Sequence, residues 1–250
     1  MRCRIKLLLV ALLTVVVAGA SIAVLLGGRL YAALRQREAV NVIRQAGGRV
    51  CYERPSLSSD LFGTILRPFG SDFFCPVVTV ELEKSSFSDA DSCVLQYLPR
   101  AEILDLTDTN VTDAALPFIA GMRDLNFLLL VHARVSDCGI CSLPTFEDLE
   151  FLYLNDTRVG DESIAWIRKL PMLRHLELQG TRVTDQGLIQ LSGLRTLQVL
   201  DVCETNVTAV GVRAFQRSLP NTEIRVSVRT ILEAQRDGAN VSDKTPLKGM

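Results

Sequence analysis

The sequence predicts an α/β solenoid with short parallel strands on a concave face and short helices on a convex face, carried on an N-terminal transmembrane helix. Two observations lead there. From about residue 77 to 227 the same residue types return every 24 positions with no insertion, and a period held that strictly marks a stacked repeat. Upstream, Leu7–Leu26 contains no charged residue. As a helix it would be about 30 Å long, the thickness of a bilayer core.

Residues 1–28 read as a short tail and an anchor. Arg2, Arg4 and Lys6 precede the apolar run and Gly27-Gly28-Arg29 closes it. Ala18-Gly19-Ala20 offers a small-x-small cleavage site, so a removed signal peptide is the alternative. The run continues through Ile22-Ala23-Val24-Leu25-Leu26, long for a signal core, which favours the anchor. Basic residues flank the span on both sides. The expected arrangement is a cytoplasmic tail, a single pass through Leu7–Leu26, and repeats outside the cytoplasm.

Residues 29–76 are expected to close the N-terminal end of the stack, whose first repeat would otherwise expose an apolar edge. Tyr31–Ala46 has helical spacing, with Ala39, Val42, Ile43 and Ala46 on one face. Gly47-Gly48 is a helix stop, and Arg49-Val50-Cys51-Tyr52 follows as a strand. Pro55–Pro76 is irregular. Its Phe69, Phe73 and Phe74 are expected to belong to the core of the cap.

The array spans 77–228. Leu104, Leu128, Leu152, Leu176 and Leu200 recur at one position, and Leu106, Leu130, Leu154, Leu178 and Val202 two residues later. Alternation in a strand sends both rows to the core. Thr109, Thr157, Thr181 and Thr205 mark the turn, where a hydroxyl can bond the backbone of a neighbouring turn. Asp89, Asp113, Asp137, Asp161 and Asp185 follow as helix caps, with Ala209 breaking the series. Pro144 should keep the helix beginning near Asp137 short. Residues 229–250 read as a polar tail.

The pattern L-x-x-L-x-L-x-x-T-x-V-T-D-x-G-L-x-x-L, seen at Leu173–Leu191, resembles the leucine-rich repeat family, in the subclass with Thr or Cys where many members carry Asn. It looks similar to membrane-anchored bacterial repeat proteins of unassigned role. The resemblance implies a binding scaffold without chemistry of its own.

The residues themselves point the same way. No Ser/His/Asp elbow, phosphate-binding glycine loop or zinc-type motif is present, so no catalytic residue, cofactor or metal site is expected. Cys138 and Cys141 form a CxxC without a second pair or a histidine cluster. The seven cysteines leave a Cys51–Cys75 bridge open. Net charge is −1, which excludes a basic nucleic-acid footprint. Inward positions are committed to the core, which leaves the concave face for function. At its centre lie Phe127, Leu129, Val131, Phe151 and Tyr153, with Asn155, His175 and Glu177 beside them. An apolar centre with a charged rim is how protein-binding patches are built. The expected partner is a protein. A carbohydrate- or cation-binding face and a structural spacer are the alternatives.

Overall fold

The structure is a computed structural model and describes residues 27–53, 75–144 and 146–236. One sheet runs through it in sequence order, from β1 (Arg49–Tyr52) and β2 (Val77–Glu81) through β3 (Ile103–Asp105), β4 (Phe127–Leu129) and β5 (Phe151–Tyr153) to β6 (His175–Glu177), β7 (Val199–Asp201) and β8 (Glu223–Arg225). β1 is antiparallel to β2, and every later pair is parallel. The register advances by one repeat per strand: Leu104, Leu128, Leu152, Leu176 and Leu200 are direct neighbours. All are fully buried, as are Leu106, Leu130, Leu154 and Leu178 behind them. Each repeat leaves its leucines half-covered until the next one stacks on it, so the core is one continuous column.

At the N-terminal end a helix and an antiparallel strand lie against the first parallel strand. In the helix at 27–45, Ala39, Val40 and Ile43 are fully buried in the same cluster as Val80 and Leu82. Gly47 takes φ +94°, and the Gly48 and Gly47 N–H groups bond the Ile43 and Arg44 carbonyls, closing the helix. β1 then lies on β2 with Arg49 opposite Glu81, and the two side chains form an ion pair of 3.2 Å. At the other end, a helix at Val228–Arg236 covers part of the last repeat, burying Thr230 and part of Ile231. From sequence alone residues 229–236 read as polar tail, and the structure makes them helix instead.

The expected transmembrane helix is overturned. Among the described residues no helix is long and apolar enough to cross a membrane. Leu7–Leu26 lies outside the described residues, as do the phenylalanines at 69, 73 and 74. The helix at 27–45 carries Arg29, Arg35, Arg37, Glu38 and Arg44, and one such charge at mid-bilayer costs about 2.5–3.5 kcal/mol. The fold class is corrected to an α/β repeat solenoid alone. The anchor through Leu7–Leu26, the membrane as a partner and the single-pass, extracytoplasmic placement go with it.

Two ladders hold the turns. Thr109, Thr157 and Thr181 are buried, and each Oγ1 donates to the carbonyl three residues back (Leu106, Leu154, Leu178) at 2.6–2.7 Å. The hydroxyls therefore bond their own turn rather than a neighbouring one. The aspartates do the opposite. Asp89, Asp113, Asp161 and Asp185 each accept from the backbone N–H and hydroxyl of the residue at the same turn of the next repeat, Thr112, Ser136, Thr184 and Thr208, at 2.6–2.8 Å. Asp137 meets Gly160 and Ser163 instead. Capping falls to the threonines, Thr184 Oγ1 accepting from Gln186 N and Thr208 Oγ1 from Val210 N.

The glycine of the T-D-x-G pattern completes the joint. A Cβ on Gly139, Gly187 or Gly211 would lie 2.1–2.3 Å from an oxygen of Asp113, Asp161 or Asp185. Each glycine thus vacates the space taken by the preceding repeat's carboxylate. Pro144 acts as anticipated: the helix Asp137–Ser142 ends at Leu143 in extended conformation, and the Leu143 carbonyl accepts from Trp166 Nε1 at 2.8 Å.

Candidate binding face

Parity in each three-residue strand, β3 to β8, sends the first and third residues outward. In-register pairing then lays them in rows across the concave face. The first row is Phe127, Phe151 and His175. Their rings stack face to face, with centroids 4.1 Å apart between the phenylalanines and 4.6 Å from Phe151 to His175. The second row is Asp105, Leu129, Tyr153, Glu177 and Asp201. All these side chains are half-buried. Burial pushes the Tyr153 phenol above its usual pKa, aided by Glu177.

Val131 and Asn155 sit just beyond β4 and β5, both half-buried. Asn155 is already engaged: its amide donates to Glu177 Oε2 at 2.7 Å and its Oδ1 accepts from Gln179 N at 3.1 Å. It therefore orients Glu177 more than it offers a free contact. The eight residues singled out in the sequence lie on one surface.

A second constellation was in phase in the sequence but passed over. At the turn after each of β2 to β7 the backbone enters the left-handed region, at Lys84, Asp108, His132, Asp156, Gly180 and Glu204. Three of these meet: His132 Nδ1 lies 2.5 Å from Asp108 Oδ1 and Nε2 lies 3.1 Å from Asp156 Oδ2. The 24-residue spacing of Asp108, His132 and Asp156 was the signal. The hydrogen bond to Asp108 raises the His132 pKa above its ordinary value; burial opposes it, and the charge of Asp108 with the hydrogen bond and charge of Asp156 add to the rise.

A folded-state pKa above the unfolded one stabilises the fold fully below the unfolded pKa, and that contribution fades as pH rises through the folded value. His132→Gln should therefore lower Tm relative to wild type more at about pH 6 than at about pH 9. The side chain is half exposed, so added salt should shrink the difference. Melting curves that differ by the same amount at both pH values would refute the bridge.

Nothing in this face is built for bond chemistry. Among the described residues no group of His, Cys, Asp and Glu is placed to hold a metal ion. Cys203 is pushed up to about 12 by burial and by Asp201, so at neutral pH it is a thiol, not a nucleophile. Burial, Asp137 and Glu162 likewise raise Cys141, the wrong direction for a redox-active CxxC. Cys51 and Cys75 are both free thiols here.

A leucine-rich repeat family model matches residues 169–192. No curated protein matches the chain. Solved structures similar to it include a plant peptide hormone receptor, RGFR1, in complex with RGF2 (13% identity, 54% of this chain, TM-score 0.37). A pollen receptor kinase 3 (17%, 84%, 0.45) and PEPR1-AtPEP1 (14%, 69%, 0.41) are others. The chain spans 22%, 99% and 25% of their respective lengths. What the family match and the coordinates share is this: residues 169–192 form a leucine-rich repeat, and the strands on either side repeat its geometry.

Proposed function

We propose that the chain is a non-catalytic interaction module that docks a polypeptide partner on its concave face. The carrying observation is the three-ring stack of Phe127, Phe151 and His175, half open to solvent, with Leu129, Val131 and Tyr153 beside it. Partly exposed rings held in place by stacking on a rigid sheet are pre-organised. A partner meeting them loses little extra entropy on binding. Aromatic anchors of this kind concentrate binding energy at the centre of interfaces.

A cation-binding face has less behind it. The acidic groove at the strand-entry edge, lined by Glu102, Asp124, Asn126, Asp148 and Glu150, has already recruited Arg100 to Asp124 and Arg174 to Glu150.

Tyr153→Arg in the full chain tests docking. Partner capture by wild type should be lost in the variant by about a hundredfold or more, the scale of a central aromatic anchor. Equal retention of the same proteins by both would sink docking and leave the spacer.

A further inference from the structure

The concave face is more acidic than the chain as a whole. Net charge over all residues is −1, yet the second outward row reads Asp105, Leu129, Tyr153, Glu177, Asp201 across five in-register strands. None of these carboxylates is neutralised by its hydrogen bond. Asp105 accepts from Thr107 N at 2.9 Å, Asp201 from Cys203 N at 2.8 Å and Glu177 from the Asn155 amide, all neutral donors. Arg225, the basic residue that ends this row, is held by Glu223 at 3.0 Å. The Asp108–His132–Asp156 cluster along the turn edge stays net negative even when His132 is protonated. Arg225 acts on Tyr153 and Cys203 from the far end of the row, and the next cations, Arg134, Arg158 and Arg182, are exposed on the outgoing flank.

From this separation, and resting on the docking proposal above, we infer that the partner segment is cationic. It is an extended stretch of polypeptide that crosses the strands with an apolar side chain at its centre and Lys or Arg on either side. The spacing follows from the sheet. Strands lie ~4.8 Å apart, so Asp105 and Glu177, three strands apart, are separated by ~14 Å. An extended chain rises ~3.4 Å per residue, so basic residues four apart span the same distance, and the residue midway between them faces the same way. That middle side chain sits over Leu129 and Tyr153, while the two cations reach Asp105 and Glu177. An acidic segment in the same place would set like charges together on a partly desolvated surface and be rejected.

Two labelled synthetic peptides, Gly-Arg-Ser-Phe-Ser-Arg-Gly and Gly-Glu-Ser-Phe-Ser-Glu-Gly, are titrated into the full chain by fluorescence polarisation. The arginine peptide should bind at least about tenfold tighter than the glutamate peptide, and weaken as salt rises from about 50 to 300 mM. Glu177→Gln and Asp105→Asn, which keep a hydrogen-bond acceptor and should keep the wild-type melting temperature, should each reduce that preference. Equal affinity for the two peptides, a preference for the glutamate peptide, or no binding of either up to about millimolar overturns the cationic partner. The Tyr153→Arg variant separates the two ideas. Binding that lacks charge preference but is lost in that variant removes the cationic partner and leaves docking standing. Binding indifferent to the variant removes docking as well.

Discussion

Gly187→Ala is expected to destabilise the solenoid by about 2–3 kcal/mol, although it adds one methyl group and exchanges a poor helix former for the best one. In an ordinary exposed helix that exchange would stabilise by about 1 kcal/mol. Here the new Cβ would lie 2.3 Å from Asp161 Oδ1 and 3.1 Å from Val183 Cγ1. The carboxylate cannot step aside cheaply, because both its oxygens are bonded to Thr184, at 2.8 Å to the N–H and 2.6 Å to the hydroxyl. Asp161→Ala should itself cost about 2–3 kcal/mol, by removing charge-assisted bonds and orphaning a backbone donor. The decisive quantity is the coupling between the two. With Asp161 truncated, the space beside Gly187 opens, so the double variant should lie well short of the sum, by about 1–2 kcal/mol. Denaturant unfolding of the four proteins measures it. Strict additivity would mean that the D-x-G pattern reflects something other than this joint.

That joint also shows where the sequence was silent. An aspartate after a threonine at a helix start has two sensible partners, the free N–H groups of its own helix or the turn of the next repeat. Sequence alone weighs them by local habit and favours the first. The structure chooses the second because the next turn arrives in register with an unpaired N–H and a hydroxyl. Ala209 then stops being an exception. The following segment is the terminal helix at Val228–Arg236, where Thr230 Oγ1 reaches the Val207 carbonyl instead, so no turn remains for a carboxylate to hold. Ser163 is the informative variant of the glycine. Where a side chain replaces hydrogen it is a hydroxyl, and it donates to Asp137 at 2.5 Å.

What the sequence did carry was parity and phase. Strict translation by one repeat fixes which residues become neighbours across strands, and alternation fixes which face they take. The outward rows on either side of Leu152 followed from those two facts without knowledge of any contact. The ring stacking did not follow, because phase places Phe127, Phe151 and His175 side by side but leaves their torsions open. The terminal helix was missed for a related reason. Its Arg229, Glu233 and Arg236 read as solvated tail in the sequence, and among its described side chains Thr230 and Ile231 are the covered ones. Leu7–Leu26 is a different case. Apolarity and length were its whole support, with no repeat to cross-check it.

Leu152 and Tyr153 are adjacent in β5 and should respond to substitution in opposite ways. Leu152 is fully buried between Leu128 and Leu176 in the middle of the column. Leu152→Ala leaves a cavity that rigid strands on both sides cannot close, at an expected cost of about 3–5 kcal/mol. Because stability in a stacked array depends on contacts between neighbouring repeats, a gap at the centre weakens both junctions at once. Tyr153→Arg, one residue on, should cost no more than about 1 kcal/mol, since its outward face is open and an arginine stem can cover the same surface. Its charge would also sit beside Glu177. The pair therefore separates fold from function: the first substitution lowers Tm steeply, while the second leaves Tm nearly unchanged and removes binding. Comparable losses of stability in both would place Tyr153 in the core and shift the strand register by one residue. That slip would turn every outward side chain named above inward, and the candidate face with them.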